Sequence, residues 1–201
     1  MQYLPKKNQS YNQPKGFTLA ELLISLLILG EIATFTIPKV LSAQQDGRNN
    51  AIVKEAVGTV SAAFQQHQLS GQVSSSTVMT DLWQYLNYVS TDTSTTVDSF
   101  QTGGAGPCDN LGHTCLKLHN GAIIQPSVFP FAGTNTTNAI MFLVDPDGVY
   151  SGTTNGPGKS VQFHLYYNGR ITTVGTIAPG TTYANTTIVA NPDLDPPWFS
   201  W

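Results

Sequence analysis

The feature that most constrains this chain is the run from Phe17 to Pro38, 22 residues drawn mostly from Leu, Ile, Ala, Phe and Thr. Wound as a helix at ~1.5 Å per residue, such a segment just spans the ~30 Å hydrocarbon core of a bilayer. Residues 1–16 ahead of it are polar, show no apolar periodicity, and carry only positive charge, at Lys6, Lys7 and Lys15. They read as a processing segment and not as structure. Lysines on this flank stay in the cytoplasm and send the rest of the chain outward. A carboxylate held centrally in lipid costs on the order of 3 kcal/mol, and this span contains two, Glu21 and Glu31. Glu21 lies near the cytoplasmic end, within reach of headgroups, whereas Glu31 is deeper and needs a partner.

Beyond Pro38 a helical pattern resumes. Ile52, Ala56, Val60, Ala63 or Phe64, and His67 recur every three to four residues, while Lys54, Glu55, Gln65 and Gln66 point elsewhere. The spacing predicts one long helix from about Phe17 to Leu69 with a narrow apolar face in its second half, bent at Pro38, whose ring removes a backbone donor. A short amphipathic piece is expected over Thr80 to Val89, with Ser/Thr-rich loops on both sides. From Leu116 onward the texture turns to strands, at Leu116 to Ile124, Ala139 to Val144, Val161 to Tyr167 and, after the tight-turn pair Asn168-Gly169, Ile171 to Val174. Three or four antiparallel strands follow from this pattern.

Composition narrows the function classes. Only 10% of residues are charged. Without the leader lysines, nine Lys/Arg fall to six against twelve Asp/Glu, and beyond Gly71 only Lys117, Lys159 and Arg170 face eight aspartates. A nucleic-acid surface needs clustered Lys/Arg to replace phosphate counterions, so no direct nucleic-acid binding is expected. Cys108 and Cys115 are the only cysteines and close an eight-residue loop when bridged. On a Gly/Pro-rich loop behind a membrane anchor they read as a disulfide in an oxidising compartment. Together with His113 and His119 they also form C-x4-H-x-C-x3-H, which is not a common zinc spacing. No triad of histidine with Ser or Asp and no phosphate-binding glycine loop is visible.

The string Pro14-Lys15-Gly16-Phe17-Thr18-Leu19-Ala20-Glu21-Leu22-Leu23 resembles the processing site of type IV prepilins and of type II secretion pseudopilins. The resemblance covers about residues 14 to 45. It implies that a membrane prepilin peptidase cuts after Gly16 and methylates the new amine of Phe17, and that Glu21 is the assembly glutamate that neutralises that amine in a neighbouring subunit. Gly30 and Pro38 fall where this family often has a helix glycine and a helix-bending proline, whereas Glu31 departs from its usually uncharged run. The resemblance further implies an α+β, pilin-like fold, with a long N-terminal helix packed on a small antiparallel β-sheet head. The organisation expected is a cleaved leader over 1–16, a transmembrane and filament-core helix over 17–40, an amphipathic continuation over 41–70 and a head over 71–201. Expected partners are the prepilin peptidase/methyltransferase, other pilin or pseudopilin subunits, and the inner membrane. The function implied is structural and not enzymatic: a subunit of a type IV pilus-like filament, or alternatively a secretion pseudopilin. A reading from another class is a membrane-tethered extracytoplasmic binding protein.

Val144-Asp145-Pro146-Asp147-Gly148, followed by Asn155-Gly156-Pro157-Gly158-Lys159, resembles the aspartate- and glycine-rich turn of pilin-like heads, which in major pseudopilins binds calcium. Asp145 and Asp147 then offer hard oxygen ligands for calcium, and no other cofactor is expected. The competing reading is a turn in which aspartate caps its own backbone. The tail Trp198-Phe199-Ser200-Trp201 is expected to dock against the head's sheet, the alternative being to bind a partner or a glycan.

Overall fold

The computed structural model describes residues 16–92, 114–127, 129–148, 160–173 and 199, together with the backbone of the strands at 181–182 and 187–188. Its layout is α+β, with a long N-terminal helix and a six-stranded antiparallel sheet. Two compact units divide the chain, Met1–Leu41 and Ser42–Trp201.

Helix α1 runs over Leu19–Leu69, 51 residues, with Pro38 inside it. Its start is set by Thr18 and its end by Gly71, whose φ of 72° suits the left-handed residue after a helix. There the Gln72 N–H donates to the His67 carbonyl at 3.4 Å and the Gly71 N–H to that of Gln68 at 3.0 Å, satisfying carbonyls that the last turn would leave open.

In the first unit, the apolar side chains of α1 lie open. Leu19, Leu22, Leu23, Ile24, Leu26, Leu27, Ile28 and Leu29 are each at least half exposed. In the second unit the same helix is amphipathic, and Asn49, Ile52, Val53, Ala56, Val57, Val60, Ala63, Phe64 and His67 are buried. The spacing of three and four residues accounts for this face.

The sheet has the order β1-β2-β3-β4-β5-β6, every neighbouring pair antiparallel, so each strand pairs with the next in sequence. The strands are β1 (Ser90–Asp92), β2 (Cys115–Lys117), β3 (Ile123–Pro126), β4 (Ala139–Asp145), β5 (Val161–Tyr166) and β6 (Ile171–Thr173). A separate pair is formed by β7 (Thr181–Thr182) and β8 (Thr187–Ile188). A 3-10 helix at Met79–Tyr85 precedes the sheet and buries Met79 and Leu82.

One core joins the helix face to one side of the sheet. Ile140, Phe142 and Val144 of β4 and Val161, Phe163 and Leu165 of β5 alternate along their strands, as a period of two requires, and share a cluster with Ile52 to Phe64. Phe142 and Phe163 face each other in register and stack with centroids 5.3 Å apart. Aromatic pairs of this kind add about 0.5–1.5 kcal/mol beyond their buried area. Phe131 stands edge-on to both Phe64 and Tyr167, at 6.2 and 5.4 Å.

Two strand expectations need correction. The single strand read over Leu116 to Ile124 is a hairpin, β2 and β3, folded about a turn in which Leu118 N–H donates to the Ala122 carbonyl at 2.8 Å. The turn carries its own signal, Asn120-Gly121 with φ of 92° at the glycine, which the continuous apolar run on both arms masked. The Ser/Thr-rich stretch after Val89 contains β1, whose exposed Ser90 and Thr91 give no apolar alternation and are held by pairing to β2. The sheet therefore has six strands where three or four were expected. The Asn168-Gly169 turn forms as read: Gly169 has φ of 86°, and a Cβ there would meet the Phe64 ring at 3.3 Å.

Candidate functional site

The first residues of the apolar helix form a capping box, T-x-x-E at the mouth of an apolar run. The Glu21 N–H donates to Thr18 Oγ1 at 3.2 Å, and Glu21 Oε2 accepts from the Thr18 N–H and hydroxyl, both at 2.8 Å. This local role for Glu21 escaped the sequence reading although Thr18-Leu19-Ala20-Glu21 spells its signature. It leaves the other carboxylate oxygen, Oε1, open to a further donor. Gly16 and Phe17 precede the helix outside any regular element, and both are exposed, Phe17 to 87%. The leader before Gly16 lies outside the described residues.

Further along, the hydroxyls of the span are tied to its own backbone. Ser25 donates to the Glu21 carbonyl at 2.7 Å, and Thr34 to the Glu31 carbonyl at 2.7 Å. With Thr18 bonded to Glu21 and Thr36 to the Ile32 carbonyl, every hydroxyl from Phe17 to Pro38 is paired. The Glu31 side chain is exposed and has no bonded partner among the described residues. Among the described residues α1 is the one helix long and apolar enough to cross a membrane.

In the second unit, a cleft of about 330 Å³ opens between α1 and the β2–β3 turn, lined by Glu55, Thr59, Asn87, Leu118, His119 and Asn120. Asn120 donates to Glu55 Oε2 at 3.1 Å, and His119 Nε2 lies 3.2 Å from Asn87 Oδ1. These residues sit far apart in sequence, and no local motif announces the cleft.

The Asp145 turn is built as the self-capping reading describes. Asp145 Oδ1 accepts the N–H groups of Asp147 and Gly148 at 3.2 and 3.1 Å, while Oδ2 is buried and receives no hydrogen bond. Burial and then the neighbouring Asp147 carboxylate push the Asp145 carboxyl up to about 8. Calcium takes six to eight oxygens. The described residues bring two carboxylates here, one already engaged by backbone, and no group of three or more metal-ligating side chains occurs among them. They do not by themselves fit a calcium site, and Asn155 to Lys159 lie outside the described residues.

Cys115 is buried and disulfide-bonded, and Cys108, the other cysteine of the chain, lies outside the described residues, as does His113. His119 is exposed at the cleft. His164 on β5 is fully buried, and desolvation holds its imidazole down to about 4, so it is neutral at physiological pH. Of the aromatic tail, Phe199 docks edge-on against Phe163 at 5.6 Å, and Trp198 and Trp201 lie outside the described residues. No protein-family model matches the chain, and comparison with curated proteins and with solved structures returns no match either.

Proposed function

We propose that this chain is a pilin-like structural subunit: a prepilin of the inner membrane, cut between Gly16 and Phe17 and methylated by a prepilin peptidase, then packed through its N-terminal helix into a type IV pilus-like filament. The observation that carries the reading is the division of labour along α1. From Ile52 to Phe64 the helix seals the core of the head, while from Leu19 to Leu29 the same helix holds its Leu and Ile side chains in the open. Lipid covers such a surface before assembly, and neighbouring helices cover it afterwards.

Glu21 supplies the register. Its Oε2 closes the capping box, and its Oε1 takes the amine of Phe17 from an adjacent subunit, which would otherwise sit as an uncompensated charge in an apolar bundle. The head displays the surface the filament presents, including the cleft at Glu55 and His119. A pseudopilin of a type II secretion system uses the same N-terminal machinery and is the nearest alternative. A membrane-tethered binding protein, with the cleft as its ligand site, is the reading from another class. Electron microscopy of material sheared from cells, labelled with an antibody to the head, tests the proposal: labelled filaments support it, and label confined to the membrane fraction contradicts it.

A further inference from the structure

Between Phe17 and Leu41 the mature chain would carry four charges: the new amine at Phe17, Glu21, Glu31 and Lys39. The filament reading assigns the first two to each other. The second two are likewise opposite in sign, in the reverse order along the chain and eight residues apart instead of four. Glu21 and Lys39 stand 18 residues apart, which is about five turns at 3.6 residues per turn, so they share one line along α1. Glu31 lies ten residues after Glu21 and eight before Lys39, on a second line about 80° away. Phe17, four residues before Glu21, falls between the two lines.

Resting on the filament reading above, we infer that Glu31 pairs with Lys39 of the next copy of this chain, in the same contact in which the Phe17 amine meets Glu21. One copy presents Glu21 and Lys39, about 27 Å apart, and its neighbour presents the amine and Glu31, about 21 Å apart. A parallel slide of six residues, about 9 Å, leaves an offset of about 3 Å at each contact, which a Glu or Lys side chain spans. The Lys39 ammonium has three protons to donate, and the Glu31 carboxylate has no bonded partner among the described residues. Each helix uses one line toward one copy and the other line, about 80° round the same helix, toward another. That contact is heterologous and propagates into a filament, where a self-complementary contact would close a dimer. The deep carboxylate that looks misplaced in a membrane anchor thereby becomes a second register mark, and it selects one slide among those that apolar packing alone would allow.

The test uses the full chain in cells that assemble it. Glu31→Lys and Lys39→Glu should each lower recovery in sheared filaments by about tenfold or more, and the double reversal should restore most of it, as a directly coupled pair requires. A second variant, Glu31→Cys with Lys39→Cys, guards against failed insertion of the reversals. The two positions lie about 12 Å apart on one helix, beyond disulfide reach within a chain. Oxidised filaments of this variant should run as a ladder of covalent multimers, and either single cysteine should not. Wild-type filaments combined with no ladder, or with reversals that incorporate normally, overturn the pairing and leave the filament reading standing. A wild-type chain that forms no filaments overturns the filament reading itself, and the pairing with it.

Discussion

Replacing Glu21 by alanine and, separately, by glutamine distinguishes its two roles. Alanine removes both contacts that Oε2 accepts from Thr18, at 2.8 Å each, along with the charge. Glutamine keeps a carbonyl oxygen of the same reach, so the capping box survives and only the charge is lost. Loss of a cap of this kind shifts the helix-starting equilibrium by about fivefold. Leaving a partner's charge buried without compensation is far more costly, on the order of a hundredfold to a thousandfold in an association constant. If Glu21 neutralises the Phe17 amine of a neighbour, glutamine should therefore assemble almost as poorly as alanine. If Glu21 only caps its helix, glutamine should behave like wild type and alanine should show a mild defect. The assay is the fraction of subunit recovered in sheared filaments relative to membranes, with the mass of the mature N-terminus measured in both fractions. The proposed cleavage between Gly16 and Phe17 should stay largely intact in both variants, because that bond lies ahead of the helix that Glu21 caps. Normal incorporation of the glutamine variant refutes the pairing argument.

Other outcomes follow from the head. Gly169→Val places a side chain at φ of 86° and against the Phe64 ring, and should cost at least ~1–2 kcal/mol, read as a lower melting temperature of the detergent-solubilised chain. Phe64→Ala empties a site at 0% exposure and should cost about 3–5 kcal/mol in the same measurement. The pH dependence has two opposed parts. The Asp145 carboxyl is raised from 3.8 to about 8, so its contribution is complete at low pH and is lost as pH rises toward 8. His164 is lowered from 6.5 to about 4, so its contribution is complete above 6.5 and is lost as pH falls toward 4. The two slopes oppose each other between those histidine values, and above 6.5 only the Asp145 decline remains. Asp145→Asn, which keeps the oxygen that caps Asp147 and Gly148, should abolish that decline in melts taken at a series of pH values; a decline that persists in the variant contradicts the assignment.

Much of this architecture is written locally. The face from Ile52 to His67 follows helical spacing, and the Asn168-Gly169 turn follows from a residue pair that tolerates positive φ. Structure fixed by distant partners is harder to read. Strand β1 has no pattern of its own and exists because Ser90 to Asp92 find Lys117 to Cys115 across the sheet. The cleft likewise joins Glu55 to Asn120, which lie 65 residues apart in sequence. The capping box at Thr18 and Glu21 is a different case, since its signal is plain but coincides with the residues that carry the resemblance to a prepilin processing site. Glu31 was legible as an anomaly from its position alone, and helix geometry adds a line shared by Glu21 and Lys39, on which the inferred pairing with a neighbouring copy rests.

The mass of the mature N-terminus tests the central claim most directly. The account predicts a chain that begins at Phe17 and carries one methyl group on its amine. An intact Met1, or a chain cut at any bond other than Gly16-Phe17, would contradict it.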